Sequence, residues 1–307
     1  DVNHNFNIDA IEESIKETMP GYRFRQAQVD LSLRAGQSFT NGVHALVQAP
    51  TGTGKTMGYL VPSALFAMQE KKQVLIATGT KIFPSETEGM DGKGWHKDVF
   101  DFYTYEGAKA LRNKLREWKG GKLLVHITEM PIKCPVAPLE FAFLADSYFR
   151  KKGMRDKVEI TYVTPLTGAF TKPTCTTALN YLLEDKQIKI ETDFAVMEVD
   201  NDKKALVDYE EREVPFDLLV TVPTNMGDEV IEKSGLGDDL NFVPTDHNTL
   251  QSLAHENIFV IGDATNVPAS KAGSVAHFEA ETLTDNILLY INGYQLKKEF
   301  DGHANCF

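Results

Sequence analysis

Apolar positions along the chain recur with two periods, and segments of the two kinds alternate. Apolar spacings of three and four predict helices over 8–19, 25–34, 55–70, 105–119, 139–151 and 275–290. Short apolar runs bounded by turn residues predict buried strands over 44–48, 73–77, 122–128, 157–163, 218–222 and 257–261. An alternating segment over 188–199 and a short run over 204–207 add strands of a small antiparallel insert, and 84–94 is rich in turn residues. No internal repeat interrupts this order. A βαβ unit, then an insert, then a βα unit predicts an α/β protein: a Rossmann-like, dinucleotide-binding domain built on a parallel sheet.

Length and charge refine that picture. A chain of 307 residues is long enough for two domains, and 42% hydrophobic with 25% charged residues excludes a disordered or low-complexity protein. The net charge of −12 comes from 32 basic against 44 acidic residues, and it is unevenly placed. Residues 1–80 carry seven basic and seven acidic side chains, so the remainder, with 25 against 37, accounts for all of it. That shift suggests two units of different character, and the acidic balance argues against nucleic acid as a partner. Three cysteines, Cys134, Cys175 and Cys306, are too few and too dispersed for a disulfide scaffold or a zinc site, and the eight histidines show no metal spacing. A reducing compartment follows. The longest apolar runs are strand-length, far below the roughly 20 residues of a membrane span, and no secretory signal opens the chain. The expected location is the cytoplasm, with peripheral attachment to the cytoplasmic membrane left open.

The segment Ala49-Pro50-Thr51-Gly52-Thr53-Gly54-Lys55-Thr56 follows a predicted strand and opens a predicted helix. In that context Gly52 and Gly54 let backbone N–H groups cradle phosphate, Lys55 reaches the terminal phosphates, and Thr56 holds Mg²⁺, so ATP with Mg²⁺ is the candidate ligand. Ala49 stands where the strict pattern has its first glycine, and a glycine turn without a ligand is the alternative. With Tyr22, Arg25 and Gln28 upstream, residues 8–78 resemble the start of a DinG-like superfamily 2 helicase. The resemblance implies ATP binding. Hydrolysis and unwinding would need an acidic Asp-Glu box and a second motor domain, and neither follows in the sequence.

A different chemistry begins at the next strand. Ile76-Ala77-Thr78-Gly79-Thr80 and Ile258-Phe259-Val260-Ile261-Gly262-Asp263-Ala264 are both apolar strands running into a glycine turn. Glycine permits close backbone approach to a cofactor, and the Asp263 carboxylate can bond a sugar-like hydroxyl. Between and beyond them stand Met130-Pro131-Ile132-Lys133-Cys134-Pro135-Val136 and Asp301-Gly302-His303-Ala304-Asn305-Cys306. Over about residues 76–307 the chain resembles the sulfide:quinone oxidoreductases, a family of FAD/NAD(P)-type flavoproteins.

That resemblance implies FAD held by Thr78, Gly79, Gly262, Asp263 and Lys271, with sulfide and a quinone as substrates. It implies that Cys134 and Cys306 form the redox pair that passes electrons to FAD, with Glu140 as a proton carrier. Lys133 and the N-terminus of the following helix would lower the thiol pKa of Cys134. The alternatives remain: a free Cys is often a small buried hydrophobe, as Cys175 is expected to be, and a solvated helix carboxylate is the favoured reading of Glu140 over a proton carrier. The family's N-terminal Gly-x-Gly-x-x-Gly unit is not found, so the FAD domain is expected to be incomplete, and the family's membrane-attaching tail would lie beyond Phe307.

The expected division is a P-loop helicase-like fragment over 1–80, a junction and FAD-domain remnant over 81–104, a central NAD(P)-binding-like domain carrying the Cys134 segment over 105–225, and an FAD-domain return with Cys306 over 226–307. Three readings stand: a sulfide-oxidising flavoprotein, an ATP-binding helicase fragment, and an inactive chimera of the two.

Overall fold

The computed structural model describes residues 73–304. Gly52, Gly54, Lys55 and Thr56, with the helices and strand expected before residue 73, lie outside the described residues, and so does Cys306. In chain order the elements are β1 (Val74–Ile76), β2 (Thr80–Phe83), β3 (Val99–Phe100), α1 (Tyr105–Glu117), β4 (Gly121–Ile127), α2 (Ala137–Lys151), β5 (Val158–Val163), α3 (Pro173–Asp185) and β6 (Ile188–Glu191). They continue with β7 (Val196–Asp200), β8 (Ala205–Asp208), β9 (Glu213–Pro215), β10 (Leu218–Val222), β11 (Thr224–Gly227), α4 (Glu229–Lys233), β12 (Ile258–Val260) and α5 (Gly273–Ile291).

The central sheet runs β3-β10-β4-β5-β6 and every pairing in it is parallel. Parallel neighbours need crossovers, and α2 and α3 supply them in the run β4-α2-β5-α3-β6. Both faces are covered, so the central strands are buried on both sides and mostly apolar. On β4, Leu123, Val125 and Ile127 enter the core shared with α1 and α2, while Leu124 joins the opposite core beneath the three-stranded antiparallel sheet β7-β8-β9. Two further cores surround α5 and the pair β1-β12. The helix-side core holds Phe149 and Tyr162 with no exposed surface, side chains whose truncation costs about 3–5 kcal/mol.

One expectation is corrected, and two further elements add to the sequence reading. The alternating run 188–199 is two strands in two sheets: β6 closes the parallel sheet, the chain turns through Asp193 at φ 52°, and β7 enters the antiparallel one. Phe194, fully buried, sits at that corner with its N–H on the Thr164 carbonyl at 3.1 Å, and period-2 alternation does not register a corner whose apolar residue keeps the phase. The Thr-rich stretch around Cys175 is the helix α3, which buries only Leu183, so it lacks the apolar stripe that marks a helix in sequence. The expected junction 81–104 supplies β3, the edge strand of the central sheet, so the sheet reaches upstream of residue 105.

α1 shows how tightly local sequence sets an entry point. Thr104 caps it by accepting the Gly107 N–H at 2.9 Å, and the buried Asp101 carboxylate accepts the Thr104 N–H at 2.7 Å. A Cβ at Gly107 would meet that carboxylate at 2.0 Å, so the helix can approach Asp101 only through a glycine.

Candidate functional site

The two glycine turns read from the sequence lie side by side. β1 and β12 pair in parallel, Ile76 opposite Val260, and the Ile261 N–H continues the pairing onto the Ile76 carbonyl at 3.0 Å. Thr78-Gly79 and Gly262-Asp263 therefore leave the carboxyl ends of adjacent parallel strands, where α/β sheets take ligands. Gly79 at φ 70° and Gly262 at φ 69° both occupy the left-handed region that side chains disfavour. The Thr78 hydroxyl is buried and unpaired among the described residues, an unmet polar group beside the turn.

Behind the second turn is a buried ionic cluster. Lys271 is 5% exposed; its Nζ donates to the carbonyls of Asp263 at 3.0 Å and Thr265 at 2.8 Å and lies 3.8 Å from the centroid of the Phe242 ring. Burial lowers the Lys271 pKa to about 8 against the pull of Asp263, Glu279 and Asp238. Burial also raises the Asp263 carboxyl, with Lys271 and Lys133 opposing. Glu279, 1% exposed on α5, accepts the Gly262 N–H, and burial pushes its carboxyl up to about 7. The Lys271 ammonium thus faces the backbone of the turn, holding its carbonyls.

The cysteine turn joins this cluster. It links β4 to α2 and contains a cis Met130–Pro131 peptide and Cys134 at φ 51°. The Cys134 N–H donates to the Lys271 carbonyl at 2.7 Å, and Lys133 forms a parallel bridge with Lys271. Tyr103, from the loop before α1, donates its hydroxyl to the Lys133 carbonyl at 2.7 Å and approaches the Cys134 carbonyl at 3.4 Å. The Lys133 N–H is held by the Asn225 side-chain oxygen at 3.1 Å. Burial above all raises the Tyr103 phenol pKa above its ordinary value, with Cys134, Tyr162 and Glu140 nearby adding to the shift. Three separate strands of chain thus fix the backbone on either side of the Cys134 thiol.

The remaining candidates divide. Glu140 lies in the first turn of α2 and is exposed, as a solvated carboxylate would be. Cys175 is exposed on α3, which corrects the expectation that it is buried structure. Toward the end of the chain Phe300 is buried with its N–H on the Asn248 carbonyl at 2.8 Å, and His303 packs edge-on against Phe278 of α5 at 4.4 Å. No group of three or more His, Cys, Asp or Glu among the described residues could hold a metal.

Sequence reasoning missed Tyr103, Asn225 and Glu279. Glu279 had a visible signal: Val275, Glu279, Leu283 and Asn286 share the buried stripe of α5, and a charged residue on an apolar stripe marks a special contact. Tyr103 and Asn225 had none, since both act through carbonyl and N–H groups distant in sequence.

The turns suit a hydroxylated ligand such as a flavin: Asp263 offers an acceptor and Thr78 a hydroxyl unpaired among the described residues. The central sheet has a second crevice, at the switch between β4 and β10. Its first turn, 128–136, carries no glycine, the Thr128 N–H pairs with the Val222 carbonyl at 3.1 Å, and Thr224 donates to Glu129 at 2.6 Å across the opening.

Comparison with known proteins finds likenesses over two parts of the chain. The mouse (Mus musculus) mitochondrial sulfide:quinone oxidoreductase is 25% identical over 241 residues, 76% of this chain and 54% of the mouse protein. The X-ray structure of the sulfide:quinone oxidoreductase from Aquifex aeolicus superposes with a TM-score of 0.58 at 21% identity, over 72% of this chain and 54% of that one, and shares the fold. The chain spans about half the length of these relatives. A shorter likeness, 44% identical over 90 residues, is to the 3'-5' exonuclease DinG of Bacillus subtilis, covering 28% of this chain and 10% of that protein. The family model for pyridine nucleotide-disulphide oxidoreductases matches residues 66–280, spanning both glycine turns and the Cys134 segment, and the chain belongs to that family.

Proposed function

We propose that the chain carries the sulfide-oxidising half of an FAD-dependent oxidoreductase, with Cys134 as the residue that meets sulfur and a quinone as the final acceptor. The observation that carries the reading is the hydrogen bond from the Cys134 N–H to the Lys271 carbonyl, which binds the cysteine turn to the Gly262–Asp263 turn. Thr78, Gly79, Gly262 and Asp263 would hold the flavin, with Lys271 setting the shape of its turn from behind. The cofactor, when bound, supplies an acceptor for one electron pair that can be handed on.

The sulfur chemistry belongs to the protein. Hydrosulfide attacks one sulfur of a disulfide between Cys134 and Cys306; a new S–S bond forms on that cysteine as a persulfide, and the old S–S bond breaks to leave the other cysteine as thiolate. Sulfide is oxidised and the disulfide is reduced, and the thiolate holds the electron pair that a bound flavin would accept. Lys133, in the cysteine turn, adds positive potential that favours the thiolate. Glu140, exposed at the start of α2, can exchange the proton released from hydrosulfide with water.

Anaerobic addition of sulfide to the flavin-loaded protein tests this. Bleaching of the flavin band, lost in Cys134→Ser with flavin content unchanged, is the expected result; a band that sulfide leaves untouched sinks the proposal. A second reading applies to the N-terminal segment, favoured by its DinG likeness: nucleotide triphosphate binding at Lys55 and Thr56 with Mg²⁺. Binding of a fluorescent ATP analogue that survives Lys55→Ala would refute it.

A further inference from the structure

Glu279 has no place in the sulfur chemistry, yet it is a carboxyl sealed in the interior at 1% exposure. A buried carboxyl is costly unless it is paired and hydrogen-bonded, and removing it leaves its own partners unpaired. Its hydrogen bond goes to a single backbone group, the N–H of Gly262. That N–H belongs to the residue in left-handed conformation from which the Asp263 carboxyl departs. The other charged groups facing Glu279 are Lys271, from the turn before α5, and Asp263 itself. Lys271 grips the carbonyl side of the same turn through Asp263 and Thr265. The turn is therefore held from the inside by both its N–H and its carbonyl groups.

We propose that Glu279 is a positioning residue for the cofactor: by taking the Gly262 N–H from within the protein, it fixes the Gly262–Asp263 turn in the shape that presents Asp263 to the flavin. This inference rests on the flavoprotein reading for the identity of the ligand, but the positioning itself is a property of the turn. Without the acceptor, the Gly262 N–H has no partner, and Asp263 samples other directions. One charge-assisted hydrogen bond lost from a pre-organised site corresponds to about a tenfold change in affinity.

Two variants separate positioning from simple stability. Glu279→Gln keeps an acceptor oxygen, and Glu279→Met keeps the length of the side chain without the acceptor. FAD affinity is read by quenching of flavin fluorescence on titration with protein. The exchange rate of the Gly262 amide is read by hydrogen–deuterium exchange of the ligand-free protein, and thermal unfolding serves as a control. The expected result is a Glu279→Met protein that binds FAD about tenfold more weakly and loses protection at Gly262 beyond what its thermal unfolding accounts for, with Glu279→Gln restoring both. Glu279→Met with unchanged affinity and unchanged protection overturns the inference. If Glu279→Met does not fold, Glu279→Gln decides: loss of protection with the acceptor oxygen still present overturns it, and retention supports it. A wild-type protein that takes up no FAD refutes the flavoprotein reading, and the exchange of Gly262 across the variants then decides the positioning role by itself.

Discussion

Asp146 on α2 is the clearest place to perturb the platform that carries the cysteine turn. Its buried carboxylate accepts from Arg150 Nε at 2.8 Å, one helical turn away, and from Arg155 Nε at 2.6 Å. Arg155 also donates to the Val158 carbonyl at 2.6 Å and to the Lys186 and Gln187 carbonyls at 2.9 Å each. One carboxylate thus fastens the C-terminal half of α2 to β5 and to the turn between α3 and β6. Asp146→Asn preserves shape and removes the charge. The bond to Arg155, whose side chain is 14% exposed, is worth about 1.5–3 kcal/mol, while the pair with the half-exposed Arg150 adds at most about 1 kcal/mol after solvent screening. A loss of about 2–4 kcal/mol at pH 7 follows, measurable by equilibrium urea unfolding followed by far-ultraviolet circular dichroism.

The pH dependence has a defined sign. Burial would raise the Asp146 carboxyl, but the hydrogen bonds from Arg150 and Arg155 outweigh it and hold it below the ordinary value of 3.8. A depressed carboxyl stabilises the fold above its unfolded pKa, and that stability is lost as pH falls through the folded value. The gap between wild type and Asp146→Asn should therefore be full at pH 7 and shrink below about pH 4. A gap under about 0.5 kcal/mol at pH 7, or one that widens on acidification, refutes the reasoning.

Further outcomes follow from the site itself. The Glu279 carboxyl, raised from 4.5 to about 7, binds a proton more tightly in the folded protein. Its contribution is thus full below the unfolded value and falls as pH rises to the folded one; wild type should lose about 3 kcal/mol relative to Glu279→Gln between pH 4.5 and 7, and a pH-independent difference in unfolding free energy would refute this. Gly262→Ala forces a side chain into a left-handed residue whose Cβ would stand 3.2 Å from that of Ala276, and should cost about 1–2 kcal/mol. Gly273→Ala, in open space at the start of α5, should change stability by less than about 0.5 kcal/mol, and equal losses in the two variants by thermal unfolding would show that backbone conformation is not the cause.

The sequence by itself determined what could be read along short stretches of chain. The α1, β4, α2, β5, β10 and α5 segments announce themselves because burial on one or two faces imposes a period on consecutive residues. The two glycine turns were legible for the same reason: a strand that ends in glycine is a local event. The corner at Phe194, the exposed helix α3 and the two-residue strand β3 were not legible, because each depends on a partner the local pattern does not contain. Tertiary structure alone decided that β1 lies against β12, which brings two separate glycine motifs to the carboxyl ends of paired strands. It also decided that the Cys134 N–H meets the Lys271 carbonyl and that Glu279 meets Gly262. Contacts of this kind pass between a backbone group and a residue far away in sequence, and backbone groups are the same at every position. Which of them a distant residue reaches is set by packing, so only the folded chain could say where the chemistry of these residues converges.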